Sequence, residues 1–278
     1  MRTKYHTTAF IITVLAVSWL IQVVIFTKMV PANLMLLYMF IPAIIGFIFY
    51  FLDKAPWQKQ VQLFTRGLNF RSIAFAALYP FLWFIVVAAV ALILGIGKLN
   101  LDFLPTLTSS SYLLSYIIVI ITSLPIMFGE EYGWRGYLLP TLTEQHGKIR
   151  AVIIVGIVWG LWHVPSYYIA YSSMNIGNPI LLTLIGVAVG VVASFPYAYC
   201  FYLARGNILP CVLIHSVYDV TAAKIFFSTP AVAGFTEGTP GLLTIKWPYA
   251  LSLILLVGLA FVFFFIRQFR KMKSPLFF

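Results

Sequence analysis

Ionisable side chains stand inside apolar stretches of this chain, where a membrane-facing segment would ordinarily exclude them: Glu130, Glu131, Arg135, His163, His215, Asp219 and Lys224. A charged group at membrane depth is costly, so each is a candidate for function. Glu131 and Arg135 are four residues apart and share one helix face, as an ion pair would. Glu130 is five from Arg135, about 140° away around a helix, and is left to meet another element. The alternative is structural, with Glu131 paired and Glu130 capping or hydrated. Lys224, five residues past Asp219, reads as a snorkelling lysine near the outer face.

The histidines have neighbours of their own. His163 falls about 12 residues, or roughly 18 Å, into its apolar run, with Trp159 one turn earlier on the same face. Pro165, two residues on, lacks an N–H and so frees the carbonyl of Leu161. His215 lies about 7 residues, roughly 10 Å, into a separate run, and Asp219 shares its face one turn later. A lone membrane histidine is more often packed and hydrogen-bonded than catalytic. Two on separate helices, with an acid expected beside each, point to a site.

That set suits one kind of chemistry. A desolvated carboxylate works as a general base, a histidine orients a water, and further polar groups hold the oxyanion of a tetrahedral intermediate. No G-x-S-x-G elbow is present and no cysteine neighbours either histidine, which disfavours a covalent acyl-enzyme. The reading is attack of an activated water on an amide.

The elements that must carry these residues are membrane helices. Apolar residues make up 62% of the 278 and charged residues 9%, against roughly 45–50% and about 25% in ordinary globular domains. That excludes a soluble fold, a disordered chain, a disulfide-stapled domain and a basic nucleic-acid binder. Cys200 and Cys211 read as small apolar fillers. The expected fold is all-α and polytopic, with about eight spans at 8–27, 33–52, 73–95, 112–128, 151–171, 179–203, 208–228 and 249–266 around a polar cavity. The fourth run continues as a helix toward Leu139. The first is too long for a cleaved signal and no A-x-A site follows, so a retained anchor is expected.

The net charge of +11 reports orientation. Arg2, Lys4, Lys54, Lys59, Arg66, Arg71, Lys148, Arg150, Arg205, Arg267, Arg270, Lys271 and Lys273 fall on one side of this layout; Lys28, Lys98 and Lys246 fall on the other. The basic side should be cytoplasmic, with both termini there, in a multi-pass cell-membrane protein. The chain divides into N-terminal spans at 1–117, a core at 118–222 and a C-terminal helix with a basic tail at 223–278. The loops 53–72 and 229–248 read as surface connections. Gly156 and Gly160 form a small face beside His163 that allows close helix approach.

In order along the chain, Glu130-Glu131-x-x-x-Arg135, Trp159-x-x-x-His163 and His215-x-x-x-Asp219 resemble the three motifs of the CAAX-protease and bacteriocin-processing (CPBP, or Abi) family. That family includes the Rce1-type CAAX prenyl endopeptidases, and the wording GWRGYLLP and WGLWHVP is similar to its prokaryotic members. The similarity covers about 118–222. It implies an eight-helix intramembrane endopeptidase in which Glu130 and His163 activate water. His215 and Asp219 would line the oxyanion side, supported by Glu131, Arg135 and Trp159. The substrate it implies is a membrane-anchored protein or peptide, a CAAX terminus or a bacteriocin precursor, with the bilayer as partner and no nucleic acid.

One position departs from the pattern: relatives carry Asn where this chain has Asp219. An ionised Asp cannot donate to an oxyanion, so it must be protonated, take another role, or bind a metal. No cofactor is expected. A divalent metal such as zinc on Glu130, His163, His215 and Asp219 is the alternative. The rival functions are a proton-coupled transporter, which would spread charges along a route through both leaflets, and a non-catalytic scaffold or immunity protein.

Overall fold

The computed structural model describes residues 4–26, 38–174, 177–226, 241–245 and 247–272. Within them the chain is an all-α polytopic membrane protein, built from apolar helices whose outer faces carry large hydrophobic side chains open to lipid. Six of the described helices are long and apolar enough to cross a membrane, and a bent pair brings the number to seven. The expected second span, 33–52, is described from residue 38 onward, where its apolar helix is Ile41–Leu52. Most of the loop expected at 229–248, and Arg2, Lys28, Lys246 and Lys273, lie outside the described residues.

In chain order the elements are α1 (Lys4–Phe26), α2 (Ile41–Leu52), α3 (Trp57–Thr65) and α4 (Phe70–Ile93). Then come β1 (Gly97–Leu99), α5 (Ser110–Glu131) and α6 (Leu139–His146). A π-helical turn, Tyr132–Leu138, joins α5 to α6, so Ser110–His146 runs as one 37-residue helix. The bent pair is α7 (Lys148–Trp162) and α8 (Val164–Met174), with axes 50° apart. It is followed by α9 (Pro179–Leu203), α10 (Leu209–Thr221), β2 (Leu243–Ile245) and α11 (Trp247–Lys271). β1 and β2 pair antiparallel, with Lys98 opposite Thr244.

The bend between α7 and α8 follows from Pro165, whose ring cannot tolerate the carbonyl of Leu161 and whose nitrogen cannot bond it. Pro125 and Pro196 sit within α5 and α9, which continue through them. α7 and α9 approach closely because of glycine. A Cβ on Gly156 would stand 2.7 Å from Val191 Cα, and one on Gly160 would stand 2.7 Å from Val187 O.

One end of the bundle gathers the basic segments. Gln145 donates to Thr7 and Lys148 Nζ donates to Met272 O, so the start of α1 and the end of α11 both meet the α6–α7 corner. Asn207 Nδ2 donates to Phe64 O at the same end, and His6 Nδ1 lies 2.6 Å from Asp53 Oδ1. Asp53 Oδ2 also accepts from Tyr137 OH at 3.0 Å. The loop 53–72 is more than a connection: α3 buries Gln60 and Leu63, and Gln60 Oε1 accepts from the Tyr132 hydroxyl beside the paired glutamates.

Candidate active site

Three helices bring the candidate residues to one place. α5 ends at Glu130 and Glu131, α7 supplies Trp159, His163 caps α7 at the bend, and α10 carries His215 and Asp219. Glu130, Trp159, His163, His215 and Asp219 all line a cavity of about 170 Å³, walled by Tyr38, Tyr167, Tyr197 and Tyr218 and bounded on α9 by Gly190 and Ala193.

The two adjacent carboxylates part as their spacing requires. Glu131 Oε1 accepts from Arg135 Nη1 at 2.8 Å, and both side chains are fully buried. Glu130 turns to α7 and accepts the indole N–H of Trp159 on Oε2 at 2.8 Å, with Trp134 Nε1 at 3.4 Å from the same oxygen. Its Oε1 accepts no hydrogen bond among the described residues. Arg135 has its guanidinium carbon 4.7 Å from the Trp159 ring centre and 4.6 Å from that of Tyr197, a cation between two aromatic faces.

The histidines differ from the sequence expectation. His163 has no carboxylate within hydrogen-bond distance among the described residues: its Nδ1 faces Trp159 O at 2.9 Å and its ring stacks on Tyr167. A carbonyl only accepts, so Nδ1 carries the proton and the neutral ring keeps Nε2 as an acceptor. His215 has two acids. Its Nδ1 lies 2.9 Å from Glu131 Oε1, and its Nε2 lies 3.6 Å from Asp219 Oδ2, too far for a hydrogen bond. Asp219 is the open member of the set, its side chain 47% exposed.

Among the described residues, no three His, Cys, Asp or Glu side chains come together as ligands for one metal ion. Oε2 of Glu130 takes two indole N–H groups, Nδ1 of His163 is tied to a carbonyl, and both His215 nitrogens face carboxylates.

Several contributors had weak or no signals in the sequence. Trp134 stands one turn after Glu130, a spacing that could have marked it. Tyr38, Tyr167, Tyr197 and Tyr218 were indistinguishable from core aromatics. Gln22 on α1 reaches the bend at His163, and a search confined to ionisable residues passes over it.

Fold and site together define a polytopic membrane protein with a buried carboxylate–imidazole centre. Residues 112–221 match the family described as Rce1-like, type II CAAX prenyl endopeptidase. That segment contains all three motifs. A stretch of 43 residues is 42% identical to "CAAX prenyl protease 2" of Methanococcus maripaludis, a match spanning 16% of this chain and 16% of that protein.

Proposed function

We propose that the protein is an intramembrane endopeptidase that hydrolyses a peptide bond of a membrane-associated protein or peptide with an activated water. The observation that carries this reading is the shared cavity: Glu130, with Oε1 unclaimed, and His163, with Nε2 as acceptor, face the same 170 Å³ space as His215 and Asp219.

In the proposed step, Glu130 takes a proton from a water that His163 Nε2 helps to orient, and the water oxygen adds to the scissile carbonyl carbon. The oxyanion that forms is held by the Nε2–H of His215 as the imidazolium. Glu130 then returns its proton to the leaving nitrogen, the C–N bond breaks, and the products are a carboxylic acid and an amine, which separate as carboxylate and ammonium once the acid's proton passes to the amine. Asp219 takes the role of counter-charge to His215 in place of oxyanion donor, which accounts for Asp where relatives carry Asn. Glu131, between Arg135 and His215, orients that imidazole as the second carboxylate. Trp159 ties Glu130 to the helix of His163. The proposed mechanism needs no metal.

The basic end gathers the N-terminal helix, loop 53–72, residues 145–148 and the end of α11, which supports a cytoplasmic placement of both termini in a cell membrane. A transporter would spread polar groups along a path through both leaflets; here they converge on one cavity. The test is cleavage in membranes by Glu130→Gln and His163→Ala. Both should abolish it while melting temperature and expression persist, and retained cleavage by either would sink the assignment.

A further inference from the structure

The bend that presents His163 is held by side chains of α1, about 140 residues earlier in the sequence. Pro165 leaves Leu161 O without its helical donor, and Trp19 Nε1 of α1 takes that carbonyl at 2.9 Å. The bend also opens the next rung, Ser166 N–H to Trp162 O. Gln22, fully buried on α1, fills it: its Nε2 donates to Trp162 O at 2.9 Å, and Ser166 N–H donates to its Oε1 at 3.2 Å. The amide cannot be reversed, because a carbonyl only accepts and an N–H only donates. One primary amide thus stands in for a peptide hydrogen bond, widened by its own length. Unpaired backbone groups are costly in hydrocarbon, so a break at this depth needs such a partner.

His163 sits between the two halves of that rung. Its backbone is at φ −83°, ψ −6°, its N–H closes back on Gly160 O at 3.2 Å, and its carbonyl accepts from Tyr167 N–H at 2.8 Å. We propose that Gln22 is a positioning residue for His163: by holding the α7–α8 rung open, it sets where the imidazole stands relative to Glu130. Its consequence for rate rests on the peptidase reading; its geometric content does not.

Two variants separate positioning from plain stability. Gln22→Leu removes both contacts at similar volume. Gln22→Leu/Pro165→Ala gives Leu161 O a backbone donor again and lets Ser166 close on Trp162, so the helix can straighten without unpaired groups. The measurements are kcat and KM in proteoliposomes, thermal unfolding, and the distance between spin labels at Arg150 and Ser173, both exposed. Cys200 and Cys211 are buried and do not compete for label.

Gln22→Leu should lose about 10²-fold in kcat, as a displacement near 1 Å does, with KM changed less than about threefold. The double variant should regain the wild-type melting temperature, lengthen the label distance by about 3 Å at 1.5 Å per residue, and keep the low kcat. Recovery of kcat with stability would reduce Gln22 to a structural part and overturn the proposal, as would an undiminished kcat in Gln22→Leu. Should the wild type itself cleave nothing, the peptidase reading fails and the distance decides. A longer distance in the double variant than in Pro165→Ala alone then sustains the positioning claim, and equal distances in those two variants overturn it.

Discussion

Replacing Gly160 by alanine tests whether the closeness of α7 and α9 matters to the chemistry. The added methyl would stand 2.7 Å from Val187 O and 2.9 Å from Val187 Cα, both rigid backbone atoms, where ordinary contact begins at 3.4 Å. α7 must therefore retreat by about 0.7 Å, since an interior packed to crystal density has no slack to absorb the methyl. The neighbouring residue is Trp159, whose N–H reaches Glu130 Oε2 at 2.8 Å. The same retreat stretches that bond to about 3.5 Å, outside hydrogen-bond range. Overpacking should cost about 1–3 kcal/mol of stability. Loss of a hydrogen bond to a charged group, about 1.5–3 kcal/mol, should lower kcat by roughly 10- to 10²-fold. The assay is cleavage in proteoliposomes beside thermal unfolding in detergent. Gly46→Ala is the control, its methyl falling at an ordinary 3.4 Å from Gly133 and Tyr137. A Gly160→Ala protein with wild-type kcat and wild-type melting would refute the reasoning.

Three further outcomes follow from the site. Glu131→Gln or Arg135→Met breaks a fully buried pair and should each destabilise by about 3–5 kcal/mol, whereas the double variant should cost well under their sum; strict additivity in thermal unfolding would contradict the pairing. Asp219→Ala and Asp219→Asn should each lower kcat about tenfold, since both leave His215 without its Nε2 counter-charge; wild-type kcat in Asp219→Asn would count against the assigned role. Activity should survive dialysis against a zinc chelator, and a loss restored by added zinc would contradict the metal-free step.

What the sequence made legible was local. Apolar runs locate the helices, the four-residue spacing pairs Glu131 with Arg135, and the fifth residue turns Glu130 away, as the indole contacts from Trp134 and Trp159 bear out. Pro165 announces a freed carbonyl at Leu161, and Gly160 announces close packing. What spacing along one helix cannot report is which neighbour answers. His163 was expected beside an acid and instead binds its own helix through Trp159 O; His215 takes Glu131 as well as Asp219. Trp19 and Gln22 close the break from about 140 residues away, a tertiary solution to a local defect. The π-helical turn after Glu131 has no counterpart in a uniform 3.6-residue period, so the pattern carries the helix toward Leu139 but shows neither the turn nor the run on to His146.

The central claim is that Glu130 activates water for peptide hydrolysis, and a terminus-resolved proteomic comparison tests it most directly. Membranes containing the wild-type protein are set against membranes containing Glu130→Gln at equal abundance and equal melting temperature. The account predicts new protein termini that appear with the wild type alone, and those termini name the substrates. Identical terminus profiles from two folded, abundant proteins would contradict it.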